Sequence, residues 1–189
     1  MRRALVIGIA VALAGCGGLK LAGPPRHPES GILMLGGSPS RNNNLNDVPP
    51  PPLSPEWDED VTAGIGDGAP CLVDSILFIG NLRGELYALH AATGKRLGWV
   101  ALGGAIQGTP VIAGSNAIVA LAGGRESVVA YDLVEGRIRW RFSGGDIHGS
   151  PLLLGTSIYA ANVYGILACL SLGTGEKMWS FALPSNTTL

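Results

Sequence analysis

A segment of the chain recurs three times with a period of about 41 residues, and this repeat constrains the fold more than any other feature. Each copy has a small residue before a proline, then apolar runs, a turn with glycine and a tryptophan. The prolines are Pro70, Pro110 and Pro151, the turn glycines are Gly94, Gly136 and Gly175, and the tryptophans are Trp99, Trp140 and Trp179. A period in this range that is filled with short apolar runs is typical of the blades of a β-propeller.

Within each repeat, turns that carry glycine, asparagine or aspartate separate four short runs, which predicts four strands per unit. The expected strands are 69–73, 76–80, 85–90 and 97–102, then 108–113, 117–122, 127–133 and 137–142, then 149–154, 157–162, 165–171 and 177–182. The fourth strand of the second unit alternates, and we expect Ile138, Trp140 and Phe142 to share its packed face. The predicted fold class is all-β: a β-propeller of four-stranded antiparallel blades.

The number of repeats predicts an incomplete ring. Propellers close with about four to eight blades, whereas residues 56–189 hold about three. We therefore interpret the chain as truncated, with closure by self-association as the alternative. An open stack leaves apolar blade faces in water, so we expect the chain to associate with itself through them.

The net charge limits which partners we expect, and the positions of the cysteines limit which disulfides can form. The net charge is −1 with 14% charged residues, and nucleic acid, which needs a basic face, is not an expected partner. Cys71 and Cys169 fall two units apart, too far for a disulfide, and we expect both to be small buried apolar residues.

The first sixteen residues have the pattern of a targeting segment. Arg2 and Arg3 precede an apolar stretch, 4–13, that is too short to span a bilayer. The stretch ends in Leu-Ala-Gly-Cys at 13–16, which resembles the bacterial lipobox and implies a lipoprotein signal peptide with lipidation at Cys16. Because Gly17 stands where an inner-membrane retention signal has aspartate, the resemblance implies an outer-membrane anchor facing the periplasm. An ordinary secretory signal that contains a cysteine is the alternative.

Residues 17–55 predict a tether rather than a blade. The stretch is rich in glycine and proline, with five prolines between Val48 and Pro55. We expect residues 17–30 to lift the propeller away from the membrane. The proline run suits neither a helix nor a central strand, and we expect it to lie over the surface as polyproline II.

The repeats also carry a family resemblance. The run 84–95, Gly-x-Leu-Tyr-Ala-Leu-x-x-x-Thr-Gly-Lys, and the run 165–177 resemble the pyrroloquinoline-quinone-type (PQQ-like) propeller repeat. The resemblance covers about residues 57–189, and 33–42 resembles the opening segment of such proteins. Within this family, lipoproteins similar to the outer-membrane assembly scaffold BamB share the layout of lipobox, tether and repeats. The resemblance implies that tryptophans of the outer strands pack between neighbouring blades: Trp57, Trp99, Trp140 and Trp179.

The residues that quinoprotein dehydrogenases use are not evident. The sequence has no adjacent cysteine pair and no carboxylate set at calcium-binding spacing, and its three histidines are scattered. We therefore expect no catalytic residues, no metal site and no PQQ, because the repeat builds a blade and not a cofactor site.

One set of polar residues recurs at the same register. Asp67, Gln107 and His148 each lie three residues before the proline of their unit, where the chain of a propeller approaches the central channel. They are candidates for a binding site at the channel mouth. The alternative is that they are polar because water fills the channel.

These observations predict a non-catalytic, membrane-anchored scaffold that binds other envelope proteins. The alternative function is a fragment of a quinoprotein-type dehydrogenase or of a ligand-sensing propeller, with its functional residues outside these repeats.

Overall fold

The structure, a computed structural model, describes residues 18–26, 34–37, 40 and 52–184. Twelve strands form three four-stranded sheets, here called blades 1, 2 and 3. Blade 1 contains β1 (Cys71–Val73), β2 (Ile76–Gly80), β3 (Glu85–His90) and β4 (Arg96–Ala101). Blade 2 contains β5 (Val111–Ala113), β6 (Asn116–Ala120), β7 (Val128–Asp132) and β8 (Arg137–Phe142). Blade 3 contains β9 (Leu152–Leu154), β10 (Ser157–Ala161), β11 (Ile166–Ser171) and β12 (Lys177–Ala182).

Each blade is an antiparallel meander in which sequential strands are neighbours. The described part of the chain has no helix, so none there could cross a membrane. The predicted all-β fold, an incomplete propeller with about three blades, is confirmed. The signal peptide 1–16, with Cys16, and most of the predicted tether lie outside the described residues.

The innermost strand of each blade is shorter than predicted. β1, β5 and β9 have three residues each, and each begins directly after the proline of its unit. Proline cannot donate to a sheet ladder, so pairing starts beyond it. The residues before the proline contact the next blade instead: the Gly68 N–H donates to the Gln107 carbonyl over 2.8 Å.

The outer strand of each blade contains a β-bulge. The bulge in β8 changes the alternation of side chains that we predicted for this strand. Ala130 pairs with Trp140, but the next residue, Tyr131, pairs with Ile138, so Arg139 is the extra residue. Because one residue is bulged out, Ile138 and Trp140 point to opposite faces. Ile138 packs toward blade 1, whereas Trp140 packs toward blade 3. The prediction that Ile138 shares a face with Trp140 and Phe142 is wrong.

The core lies between blades rather than inside one sheet. One cluster joins Leu86 and Ala88 of blade 1 to Val129 of blade 2, and a second joins Ala130 of blade 2 to Leu170 of blade 3. Burial of these apolar faces is the main force that stacks the blades. A third cluster packs Val61, from the segment before blade 1, against the outward face of that blade.

Candidate functional site

Two tryptophans join neighbouring units by the same contact, here called the tryptophan joint. The indole N–H of Trp57 donates to the Ala91 carbonyl over 2.8 Å, and that of Trp140 to the Leu172 carbonyl over 2.9 Å. Each ring lies over the turn glycine of the following blade, Gly94 or Gly175, where a Cβ would overlap the indole. Both glycines have positive φ, 69° and 72°, so the turn and the ring contact require glycine for separate reasons.

Two asparagines form a second link between units that sequence reasoning missed. The Asn81 side-chain amide donates to the Val61 carbonyl over 2.7 Å, and that of Asn162 to the Gly144 carbonyl over 2.6 Å. The acceptors Val61 and Gly144 each lie four residues after a joint tryptophan. The side-chain oxygen of each asparagine also accepts backbone N–H groups of its own turn. The available signal was Asn-x-x-Gly, which occurs at 81–84 and 162–165.

Glu85 is held in a polar cluster beside the first of these links. Its Oε2 atom accepts from the Asn81 amide over 2.7 Å, the Thr62 hydroxyl over 2.9 Å and the Tyr87 hydroxyl over 3.0 Å. The hydrogen bond from Asn81 is the largest cause that lowers the pKa of Glu85, followed among the lowering causes by those from Thr62 and Tyr87. The ionised carboxylate therefore fastens the segment before blade 1 to its turn.

Trp99 does not form a joint, which corrects the expectation for this residue. Gly98 pairs with Ala88 as Trp140 pairs with Ala130, so Gly98 takes the joint position and Trp99 faces the other way. The Trp99 ring stacks instead on Tyr87 of its own blade, with centroids 6.1 Å apart. The signal was in the spacing: Trp99 follows its turn glycine by five residues, whereas Trp140 follows by four.

Residues 18–26 are packed against the blades, in contrast to the tether expected for this stretch. Leu19 is fully buried between blades 1 and 2, and its carbonyl accepts the Tyr131 hydroxyl over 2.7 Å. The Leu21 N–H donates to the Leu133 carbonyl over 2.7 Å. At the far end, the Arg26 N–H donates to the Asp74 carboxylate over 2.6 Å. Composition suggested a linker, but two leucines two residues apart supply the apolar contact that docks it.

Trp179 occupies the joint position of blade 3 on an open face. It pairs with Cys169 as Trp140 pairs with Ala130, yet it is 44% exposed. All six residues of β12 are exposed, and Trp179 contacts the Tyr159 ring with centroids 5.9 Å apart. We call this surface the free face of blade 3; its large apolar side chains include Met178, Trp179 and Phe181.

The three polar residues predicted at the channel mouth lie at equivalent places in successive blades. Asp67 and His148 are exposed, and Gln107 is half-buried. The backbones beside them are in close contact, since a Cβ on Gly68 or Gly108 would overlap the backbone of the next blade. This contact aligns the three residues along one edge of the stack. Their role in binding stays a prediction.

The described residues hold no metal-binding cluster, and the cleft between blades 2 and 3 is small. They contain no group of three His, Cys, Asp or Glu side chains that could hold a metal ion. The cleft between blades 2 and 3, lined by Phe142, Asn162 and Lys177 among others, has a volume of about 170 Å³. Sites for small molecules typically enclose about 300–1,000 Å³, so this cleft is small for a cofactor. Cys71 and Cys169 are free and buried, and burial raises the pKa of Cys71 to about 12.

Comparison with known proteins shows which family these repeats match. Residues 54–188 match the family described as outer membrane protein assembly factor BamB. The chain belongs to this family. Among solved structures it is similar to BamB from Moraxella catarrhalis, with 25% identity and a TM-score of 0.50 over 63% of this chain and 35% of that one. A search of curated proteins gave no significant match.

The BamB-type repeats also resemble the propellers of enzymes. Quinohemoprotein alcohol dehydrogenase from Comamonas testosteroni matches with a TM-score of 0.64 and 15% identity, over 80% of this chain and 27% of that one. A europium-containing methanol dehydrogenase matches with a TM-score of 0.65 and 14% identity, over 80% and 31%. At these identities the likeness concerns the fold alone. The chain spans about a third of the length of the three structures.

Proposed function

We propose that this chain is part of a non-catalytic propeller scaffold that binds other proteins of the cell envelope. The observation that carries the proposal is the match of residues 54–188 to the BamB assembly-factor family. The polar edge at Asp67, Gln107 and His148 is the candidate recognition site, because it is accessible and lies at one register of the stack.

The proposed location is the periplasmic face of the outer membrane. Its support is the Leu-Ala-Gly-Cys motif at 13–16, in which Cys16 would carry the lipid. Several acyl chains, each worth about 0.8 kcal/mol per buried methylene, make such an anchor stable. No nucleic acid takes part in this function, because the net charge of −1 provides no overall attraction to phosphate.

The scaffold proposal is tested by crosslinking and by assay. A photocrosslinker placed at Gln107 in cells should capture defined envelope proteins, whereas the same group at Thr174, a surface turn residue of blade 3, should not capture them. Equal capture from both places would argue against a specific recognition site.

A separate assay tests the absence of catalysis. The purified chain with PQQ and Ca²⁺ should reduce no dye when alcohols or aldoses are added. Measurable turnover would replace the scaffold with the dehydrogenase alternative.

A further inference from the structure

The joint between blades 1 and 2 lacks both residues that link the other units. Gly98 stands at the position of the joint tryptophan, and Leu121 stands at the position of Asn81 and Asn162. The carbonyl that a tryptophan would reach in blade 2 belongs to Leu133, which corresponds to Ala91 and Leu172. At this joint, therefore, the blades supply no tryptophan donor for the Leu133 carbonyl and no ring for the space that the tryptophan takes at the other joints.

Residues 18–21 supply contacts that replace those of the missing tryptophan. The Leu21 N–H donates to the Leu133 carbonyl, as an indole N–H donates to the equivalent carbonyl at the other joints. The stem of Lys20 lies 3.4–3.6 Å from where a Cβ of Gly136 would be, at the turn glycine that a tryptophan ring would cover. Leu19 fills the space next to Gly98 and is fully buried.

Gly98 makes room for this segment. A Cβ on Gly98 would come within 3.1 Å of both the Gly18 carbonyl oxygen and the Leu19 Cα. Any larger side chain at this position would compete with the segment for the same space. The segment and Gly98 thus act as a matched pair that replaces one tryptophan.

Docking of this segment fixes where the amino-terminal part of the chain leaves the propeller. Only Gly17 separates Cys16 from Gly18. Two extended residues reach at most about 7 Å. A free tether that spanned all of residues 17–55 would instead have a root-mean-square reach of about 35 Å.

The geometry points to an interaction surface: we infer that residues 18–21 fasten the lipid-anchored end of the chain to the joint between blades 1 and 2. The outer rim of this joint then lies directly on the bilayer. This inference rests on the proposed anchoring at Cys16. The rim is the strip formed by Lys20 and the outer strands β4 and β8.

The side chains of the rim suit the headgroup region of a membrane. Lys20 is exposed, as are Arg137 and Arg141 on β8. An open groove of about 430 Å³ beside the segment includes the apolar residues Leu21, Ile76 and Leu97. Cationic groups next to apolar surface favour the interface of a bilayer that contains anionic lipid.

The test uses the lipidated full chain in phosphatidylethanolamine–phosphatidylglycerol vesicles that contain brominated lipid. A fluorophore is attached to a cysteine introduced by Glu135→Cys or by Thr174→Cys, which are the same turn position in blades 2 and 3. We expect bromine to quench the label at 135 at least threefold more than the label at 174. Equal quenching of the two labels would overturn the inference.

Two variants test the role of the segment itself. Gly98→Trp should restore a tryptophan joint, release residues 18–21 and abolish the difference between the labels. If that variant does not fold, Leu19→Gly with Leu21→Gly should abolish the difference, and circular dichroism should show that the blades stay folded. Leu53→Gly, at a residue that is 72% exposed, is the control and should preserve it. An undiminished difference in the double variant would contradict the inference.

Vesicle flotation separates this inference from the proposed function. If the wild-type chain does not float with vesicles and Cys16→Ala behaves identically, the anchor itself is wrong, and the inference falls with it. If the wild type floats but the two labels are quenched equally, the lipid anchor is supported and only the contact between the rim and the bilayer is wrong.

Discussion

The indole N–H of Trp140 donates to the Leu172 carbonyl over 2.9 Å and so joins blade 2 to blade 3. Trp179 occupies the same register one blade later, where its ring is 44% exposed. The chain therefore holds a buried and an exposed copy of the same structural residue. This pair allows the contribution of a joint to be measured within a single molecule.

Trp140→Ala should destabilise the chain far more than Trp179→Ala. Loss of a buried aromatic ring costs about 3–5 kcal/mol, and Trp140 is only 9% exposed. The matched change at Trp179 removes little packing and should cost below about 1 kcal/mol. Urea unfolding followed by circular dichroism measures both. Similar midpoints for the two variants would show that the joint does not stabilise the stack.

The free face of blade 3 should cause self-association. Trp179 and Phe181 are 44% and 55% exposed on the same strand, and contiguous apolar surface of this kind promotes contact between copies. Trp179→Lys with Phe181→Lys should shift the chain towards the monomer in light scattering after chromatography. Leu53→Lys, at an isolated exposed residue, should leave the association unchanged. A monomeric wild-type chain would refute the prediction.

The polar edge should be dispensable for folding but needed for binding. Asp67, Gln107 and His148 lie at turn positions with little packing, so each change to Ala should cost about 0.5 kcal/mol or less. The triple variant should therefore melt like the wild type and recover less of the crosslinked partner in a pull-down. If it recovers the same amount, the edge is a water-filled channel lining, and the partner surface lies elsewhere.

Cys71 should make the stability of the chain sensitive to alkaline pH. Burial raises its pKa from 9.0 to about 12, so the folded state keeps the thiol protonated where the unfolded state ionises. The contribution is complete below pH 9 and is lost as the pH rises towards 12. By about pH 10.5 the loss should be on the order of 2 kcal/mol.

The matched variant for that measurement is Cys71→Ala. Its free energy of unfolding should fall less than that of the wild type between neutral pH and about pH 10.5, because only the wild type has the thiol at position 71. Parallel pH profiles for the two proteins would show that the thiol ionises without unfolding. The same burial should make native Cys71 unreactive towards alkylating reagents until the chain unfolds.

Much of the fold follows from the sequence, because the repeat carries the same signals three times. The prolines mark where pairing begins, and the turn glycines mark the corner before each outer strand. The β2, β3, β6 and β10 regions match the predicted strands to within two residues at each end. The alternation predicted for β8 is wrong, because a bulge at Arg139 puts Ile138 and Trp140 on opposite faces and the composition of the strand gives no sign of a bulge.

The joints were harder to predict than the blades. Trp99 looks like its counterparts, and only its spacing from Gly94 reveals that it faces away from blade 2. The docking of Leu19 depends on a space that exists only because Gly98 lacks a side chain 79 residues further along the chain. Such a long-range match between two small features has no local pattern. The equivalent placement of Asp67, Gln107 and His148, by contrast, follows from their register, because the repeat preserves position even where it changes residue type.

The exposed indole of Trp179 also gives the chain a built-in optical reporter. Indole emission responds to the polarity around the ring, and Trp140 is buried and hydrogen-bonded where Trp179 faces water. Any surface that covers the free face would move the Trp179 spectrum towards that of Trp140. Association with a further blade, a second copy or another protein could thus be followed by fluorescence without attaching a dye.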